Sequence, residues 1–236
     1  MSRPATRRAF GVRDLEQFHA RMLELRSMLT APTEPAKYVA YTDGACLGNP
    51  EGPGGWAAAV FAPGNAESWK LFGHLSSTSN NRAEALGVLG ALEWVPATSQ
   101  LEVHADSELT VRILQARYKV RANIDIWDVI RRTIDDKQLQ LSVEWVRGHA
   151  GDPCNELADR LSKIGALNGR FEDLGEGFDV VPLVQSEPDE LVGVQPRTDW
   201  EREFVTSVAQ QLRRGRALSP KQQAVIDRMR SRGASS

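Results

Sequence analysis

Apolar residues recur at helical spacing in the first stretch of the chain, where Leu15, Phe18, Met22, Leu25, Met28 and Leu29 share one face of VRDLEQFHARMLELRSML. The pattern predicts one amphipathic helix, closed by the two prolines of TAPTEPA. From about residue 37 the spacing changes. KYVAYTD, GWAAAVF and SWKLFGHL read as three strands joined by turns, and NNRAEALGVLGALEWV reads as a helix. LEVHAD is then a strand, SELTVRILQ and IWDVIRRTI are helices, LQLSVEWV is a strand and NELADRLSKIGAL a last helix. Three successive strands followed by alternating helices and strands predict an α/β mixed sheet covered by helices. After about residue 168 the chain turns loop-like through EDLGEGFDVVPLVQSEPDELVGVQPR. Two short helices follow, DWEREFVTSVAQQLRR and SPKQQAVIDRMRSR, the second opened by a Ser-Pro entry signal. The expected organisation is an N-terminal helical extension and linker (1–36), a central domain (37–168), and a loop with a helical C-terminal extension (169–236).

Composition narrows the class without naming a function. The 236 residues are 41% apolar and 25% charged, with a formal net charge of −2, as in ordinary soluble globular proteins. The whole molecule therefore does not advertise nucleic-acid binding, and charge distribution has to decide that. Residues 205–236 carry seven Lys and Arg against one acid, Asp227, so the extreme C-terminus is basic. Two cysteines, Cys46 and Cys154, form neither a disulfide framework nor a CxxC zinc pair, and are expected as reduced thiols. No apolar run is long enough to span a membrane, and the basic N-terminus lacks the apolar core of a secretory signal. A cytoplasmic protein with no membrane partner is expected.

The candidate chemistry lies in four carboxylates at the ends of these elements. Asp43 ends the first strand just before a loop with four glycines and two prolines, GNPEGPGG. Asp106 ends LEVHAD, Glu84 falls in the first turns of the NNRAEA helix, and Asp159 lies one turn into the last helix. Each has an ordinary reading alone. Asp43 can form a turn before glycine, Glu84 can favour a helix N-terminus, Asp106 can cap a helix, and Asp159 can face solvent. Neighbouring first and fourth strands would set the two aspartates side by side, with each helix adding one carboxylate. Together they would repel by several kcal/mol unless a cation sits among them. Carboxylate and water oxygens are the donor set magnesium prefers, so a divalent-metal site for phosphodiester chemistry is expected.

In order and near-spacing, YTDGACLGNP, GPGGWAA, SNNRAEALGVLGALEWV, HADSELTV and EWVRGHAGDPCNELAD resemble the type 1 ribonuclease H family over about residues 37–168. The resemblance implies a five-stranded mixed sheet with helices on both faces. It also implies an endonuclease that cuts the RNA strand of RNA–DNA hybrids, using two Mg²⁺ ions, with Mn²⁺ as a possible substitute, and leaving 5′-phosphate and 3′-hydroxyl ends. Its metal ligands map to Asp43, Glu84, Asp106 and Asp159, and its loop histidine, a proton shuttle or product-release group, to His149. Asn49 matches a residue that meets the hybrid in the minor groove. Asn80 and Asn81 match the helix-entry asparagines, and Ser79 and Arg82 a pocket that grips a DNA phosphate.

The chain departs from that pattern in three places. Glu51 is an extra residue in the glycine loop, and Glu108 stands where many relatives carry a glutamine that touches the RNA backbone. Between LTVRILQ and IWDVIRR only ARYKVRANI remains where many bacterial relatives carry a basic clamp, leaving Arg117, Lys119 and Arg121. Losing that clamp should weaken phosphate contacts at moderate salt. The basic C-terminal extension could replace those contacts, dock a protein partner, or simply pack; a monomer is expected. Tryptophans 94, 127 and 145 read as core, and His19, His74 and His104 have no motif. Alternatives are a same-fold nuclease for double-stranded RNA or DNA, and a non-catalytic binding module, which would lack one of the four carboxylates.

Overall fold

The structure, a computed structural model, describes residues 5–65, 67–174, 190–191, 194, 196–213 and 217–233. Most of the loop-like stretch expected after residue 172 lies outside the described residues, as do the first four residues of the basic N-terminus. The chain divides into two compact units, Met1–Leu183 and Val184–Ser236.

The first unit opens with α1 (Ala5–Met28) and then runs β1 (Lys37–Cys46), β2 (Gly54–Phe61) and β3 (Ser68–Leu75). It continues through α2 (Asn80–Trp94), β4 (Gln100–Ala105), α3 (Glu108–Leu114), α4 (Ile124–Asp136), β5 (Gln140–Trp145) and α5 (Pro153–Ala166). The five strands form one mixed sheet in the order β3-β2-β1-β4-β5. β1, β2 and β3 run antiparallel, whereas β4 and β5 join β1 in parallel. A parallel partner needs a crossover, and α2 provides it between β3 and β4.

β2 shows why its sequence is a continuous apolar run. Trp56, Ala58 and Val60 enter a core with α1, α2 and α4, while Ala57, Ala59 and Phe61 enter a second core with Leu157, Leu161 and Ile164 of α5. A strand buried on both faces has no polar positions to alternate. Close approach on both faces depends on missing side chains. A Cβ on Gly44 would stand 2.1 Å from the Glu84 backbone nitrogen, and one on Gly55 would stand 2.2 Å from the Ser162 carbonyl oxygen. Thus α2 and α5 lie almost on the backbone of β1 and β2, and both bring polar residues to the end of β1.

α1 packs into the first unit. Phe18, Met22 and Leu25 are buried, and the Phe18 ring meets Trp56 with centroids 4.8 Å apart. Burying three such side chains stabilises by about 2 kcal/mol each before ordering costs. Met28, expected on the same apolar face, ends the helix 55% exposed. Trp145 also departs from expectation. β5 is the sheet edge, and α5 packs on β1, β2 and β3, so Trp145 is 49% exposed while Trp94 and Trp127 are core.

The second unit contains α6 (Asp199–Arg213) and α7 (Pro220–Gly233), matching the two predicted helices. Leu191, Val194, Val208, Ile226 and Met229 form its own small apolar core. Arg232 donates to Glu201 at 2.6 Å, and Gln211 and Gln222 exchange side-chain hydrogen bonds.

Candidate active site

The site begins with strand register. β1 and β4 pair in parallel with Thr42 opposite Ala105, so the next residues, Asp43 and Asp106, leave the sheet side by side. Glu84 arrives from just past the first turn of α2, which Gly44 admits against β1. Oxygens of Asp43, Glu84 and Asp106 lie within 4.8 Å of one another. Asp43 is 8% exposed and Glu84 8%, so this is charge held away from bulk water.

Burial is the main cause of the electrostatic strain. It pushes the Asp43 carboxyl up to about 6, the Ser162 hydroxyl pulls it back, and Asp106 and Asp159 push it up again. Burial, then repulsion from Asp43 and Asp106, raises Glu84 well above the usual glutamate range. One Glu84 oxygen, Oε2, is buried with no hydrogen-bond partner among the described residues. An orphaned oxygen on a carboxylate that sits beside two others suits a cation, since hard oxygen donors are what Mg²⁺ and Mn²⁺ bind. The three side chains therefore fit a divalent metal.

Neighbouring groups hold the carboxylates in place. Ser162 of α5 donates to Asp43 Oδ2, Asn155 Nδ2 donates to Asp106 Oδ2 at 3.4 Å, and the Trp145 indole donates to the Asp106 carbonyl at 3.0 Å. Asp152 caps α5, accepting from the Cys154 and Asn155 backbone N–H groups at 2.9 and 3.2 Å, with Pro153 in the first turn. Ser107 caps α3 and accepts from Thr110, so Asp106 is not the helix cap. Asp159 stands at the margin. It takes a 2.7 Å ion pair from Lys163 and adds its repulsion to Asp43.

His149 is exposed on the loop between β5 and α5, with a left-handed φ of 52°. The loop passes directly over the site, because a Cβ on Gly148 would lie 2.7 Å from Asp106 Oδ2. Asn49, Asn80 and Asn81 are exposed on one rim. There, Asn49 Oδ1 accepts from the Asn80 backbone N–H at 3.1 Å, which serves the start of α2 because the capping residue, Ser79, makes no side-chain cap. The glycine loop and the Thr78–Asn80 turn are also stitched by Glu51 N–H to Thr78 O (2.8 Å) and Thr78 N–H to Gly52 O (2.9 Å). Glu51 takes a left-handed φ of 75° with its side chain exposed, and Glu108 pairs outward with Arg112.

Arg82, expected to grip a DNA phosphate, lies in the interior with carboxylate partners. It is 4% exposed and donates to Asp14 at 2.6 and 2.8 Å, to Asp125 at 3.0 and 2.8 Å, and to Asn123 at 3.4 Å. A guanidinium at that depth needs carboxylate partners, and two supply them. Burial opposes its charge, but hydrogen bonds to Asp14 and then Asp125 raise its pKa above the usual arginine value.

The RNase H profile matches residues 35–167, the span that builds the sheet, α2 to α5 and the carboxylate site. The chain belongs to the RNase H family. A ribonuclease H of Albidiferax ferrireducens is 38% identical over 139 residues, covering 53% of this chain and 91% of that protein. A ribonuclease H of Methylorubrum extorquens is 34% identical over 177 residues, covering 69% and 73% respectively. Among solved structures, the N-terminal RNase H domain of rv2228c from Mycobacterium tuberculosis, fused to maltose binding protein, is 27% identical with a TM-score of 0.50, covering 56% of this chain and 94% of that one. The chain is thus a ribonuclease H enzyme with the five-stranded mixed sheet of that fold. α1, α6 and α7 lie outside the matched span.

Ser162, Asn155 and Trp145 touch the site without a role legible in the sequence. The first two were marked only by helical spacing around Asp159, at i+3 and i−4. A second group, Glu102, His104 and Glu144, also lies within 4.8 Å on the sheet. There His104 bonds Glu102 at 2.9 Å and Lys37 stands 3.3 Å from it, and these two hold the Glu102 carboxyl down to about 2 against burial. That cluster already carries a compensating cation in Lys37.

Proposed function

We propose that this RNase H hydrolyses the RNA strand of RNA–DNA hybrids, with Asp43, Glu84 and Asp106 holding divalent ions and Asp159 completing the set. The observation that carries the reading is the convergence of three carboxylates within 4.8 Å, one of them with a buried, partnerless oxygen. Two bound ions, Mg²⁺ with Mn²⁺ as substitute, would lower the pKa of the attacking water and neutralise charge on the leaving 3′-oxygen. Hydrolysis in that sense leaves 5′-phosphate and 3′-hydroxyl ends.

The remaining steps belong to the chain. Ser162, Asn155 and Trp145 fix the orientation of Asp43 and Asp106. His149, on its exposed loop, would pass protons or speed product departure, since an imidazole can both donate and accept a proton. Asn49, Ser79, Asn80 and Asn81 would line the duplex, where amides can read the 2′-hydroxyl that separates RNA from DNA. Arg82 braces this rim from behind. The proposed setting is a monomer in the cytoplasm; no helix among the described residues is long and apolar enough to cross a membrane. The basic α7 would add phosphate or partner contacts.

The test is cleavage of end-labelled hybrid, duplex RNA and duplex DNA with Mg²⁺ or Mn²⁺, by the wild type and Asp43→Asn. RNA cut only in the hybrid, and lost in the variant, supports the proposal. Cutting of duplex RNA or DNA at equal rate would replace it with the same-fold alternative.

A further inference from the structure

The Asp14 carboxylate comes from α1, outside the span that the RNase H profile matches, yet it is fully buried beside the substrate rim. Its Oδ2 accepts from Arg82 Nε at 2.6 Å and from the Thr78 hydroxyl at 3.3 Å, and its Oδ1 accepts from a second Arg82 nitrogen at 2.8 Å. Thr78 and Arg82 are the two ends of a five-residue segment whose middle is Ser79, Asn80 and Asn81. One carboxylate therefore clasps both ends of the segment placed against the hybrid. Nearly one turn further along α1, Gln17 Oε1 accepts from the Ser76 backbone N–H at 3.0 Å and its hydroxyl at 3.2 Å. The same helix thus grips Ser76, Thr78 and Arg82.

We propose that Asp14 is a positioning residue for duplex binding: α1 fixes the shape of the Ser79–Asn81 turn from behind, and thereby its register against the nucleic acid. The inference rests on the hybrid-cleaving reading above. Stability alone is a poor account of this arrangement. Arg82 keeps two hydrogen bonds to Asp125 without Asp14, and a buried ion pair is an expensive way to hold a helix already anchored by Phe18, Met22 and Leu25. The pairing does specify geometry. Two donors on Arg82 and one on Thr78 have a single arrangement that satisfies both carboxylate oxygens, as planar guanidinium–carboxylate bonding requires.

The experiment is steady-state cleavage of a labelled RNA–DNA hybrid by full-length wild type, Asp14→Asn and Gln17→Ala, with Mg²⁺ titrations and urea denaturation of each. Asp14→Asn keeps the shape but turns an amide donor toward Arg82 or Thr78. The expected result is a KM raised about tenfold, equivalent to about 1.4 kcal/mol of binding, with kcat and the Mg²⁺ dependence unchanged. Gln17→Ala, at the half-buried end of the grip, should raise KM in the same direction by less, and it reads the proposal if Asp14→Asn does not fold. Lower stability with an unchanged KM in both variants would overturn the proposal in favour of a purely structural brace. A fall in kcat with altered Mg²⁺ dependence would overturn it too, by moving the effect to Glu84. A wild type that cuts no hybrid defeats the functional reading itself, which is a distinct outcome from an active wild type with insensitive variants.

Discussion

Replacing Asp43 with asparagine should stabilise the metal-free enzyme while abolishing its activity. The Asp43 carboxyl is 8% exposed, and burial and its acidic neighbours push it up to about 6. Relative to an unfolded aspartate near 4, that is a cost of about 3 kcal/mol for carrying the charge in the fold. A carboxyl with a raised folded-state pKa favours folding fully below the unfolded value and loses that contribution as pH rises through the folded value. The cost is therefore absent near pH 4, grows between about pH 4 and pH 6, and is complete at pH 7.5. Asparagine has no such titration, and its carbonyl can still accept from the Ser162 hydroxyl. In EDTA at pH 7.5, Asp43→Asn should be more stable by up to about 3 kcal/mol, or on the order of 6–12 °C in Tm for a chain this size. The advantage should vanish near pH 4. Saturating Mg²⁺ should raise the wild type and leave the variant nearly unmoved, because ligand binding to the folded state is what offsets the repulsion. A variant less stable than wild type in EDTA, or an equal response of both to Mg²⁺, would refute the reasoning.

Three further substitutions probe separate parts of the structure. Ser162→Ala removes the hydroxyl that holds the Asp43 carboxyl down, so the acidic limb of the activity profile at subsaturating Mg²⁺ should move up by about half to one pH unit; an unmoved limb would mean the hydroxyl does not tune this carboxylate. Lys137→Met removes an ammonium that donates to the Leu92, Glu93 and Val95 carbonyls at the end of α2, at a cost of about 2–3 kcal/mol in urea unfolding with normal activity per folded molecule, and a loss below 0.5 kcal/mol would contradict that cap. Glu51→Gln keeps the shape of the glycine loop but removes an exposed negative charge; KM for hybrid should fall about two- to threefold at low salt and converge with wild type near 1 M, where charges are screened beyond roughly 3 Å.

The sheet and its helices were legible because burial writes itself into spacing. Strands with one open face alternate, α1 repeats every three or four residues, and β2 reads as an unbroken apolar run since helices cover both its faces. The carboxylates were legible for a different reason: ionisable residues at the ends of apolar elements are costly unless they meet. The burial of Arg82 was not legible because its partner Asp14 is 68 residues away on a helix whose acids look solvated in a linear pattern. Trp145 was misjudged because sequence does not say which strand is the edge, and an edge strand leaves an apolar side chain in the open. Ser162 and Asn155 were invisible as polar interruptions of a helix until Gly55 let α5 settle against the sheet.

The most direct measurement is a crystal structure of the full chain soaked with Mn²⁺, read by anomalous scattering. The expected result is Mn²⁺ coordinated by Asp43, Glu84 and Asp106, with the otherwise partnerless Glu84 Oε2 among its ligands. Mn²⁺ found only between Glu102, His104 and Glu144, or a Glu84 carboxyl that stays free of metal at saturation, would contradict the site on which the proposed chemistry stands.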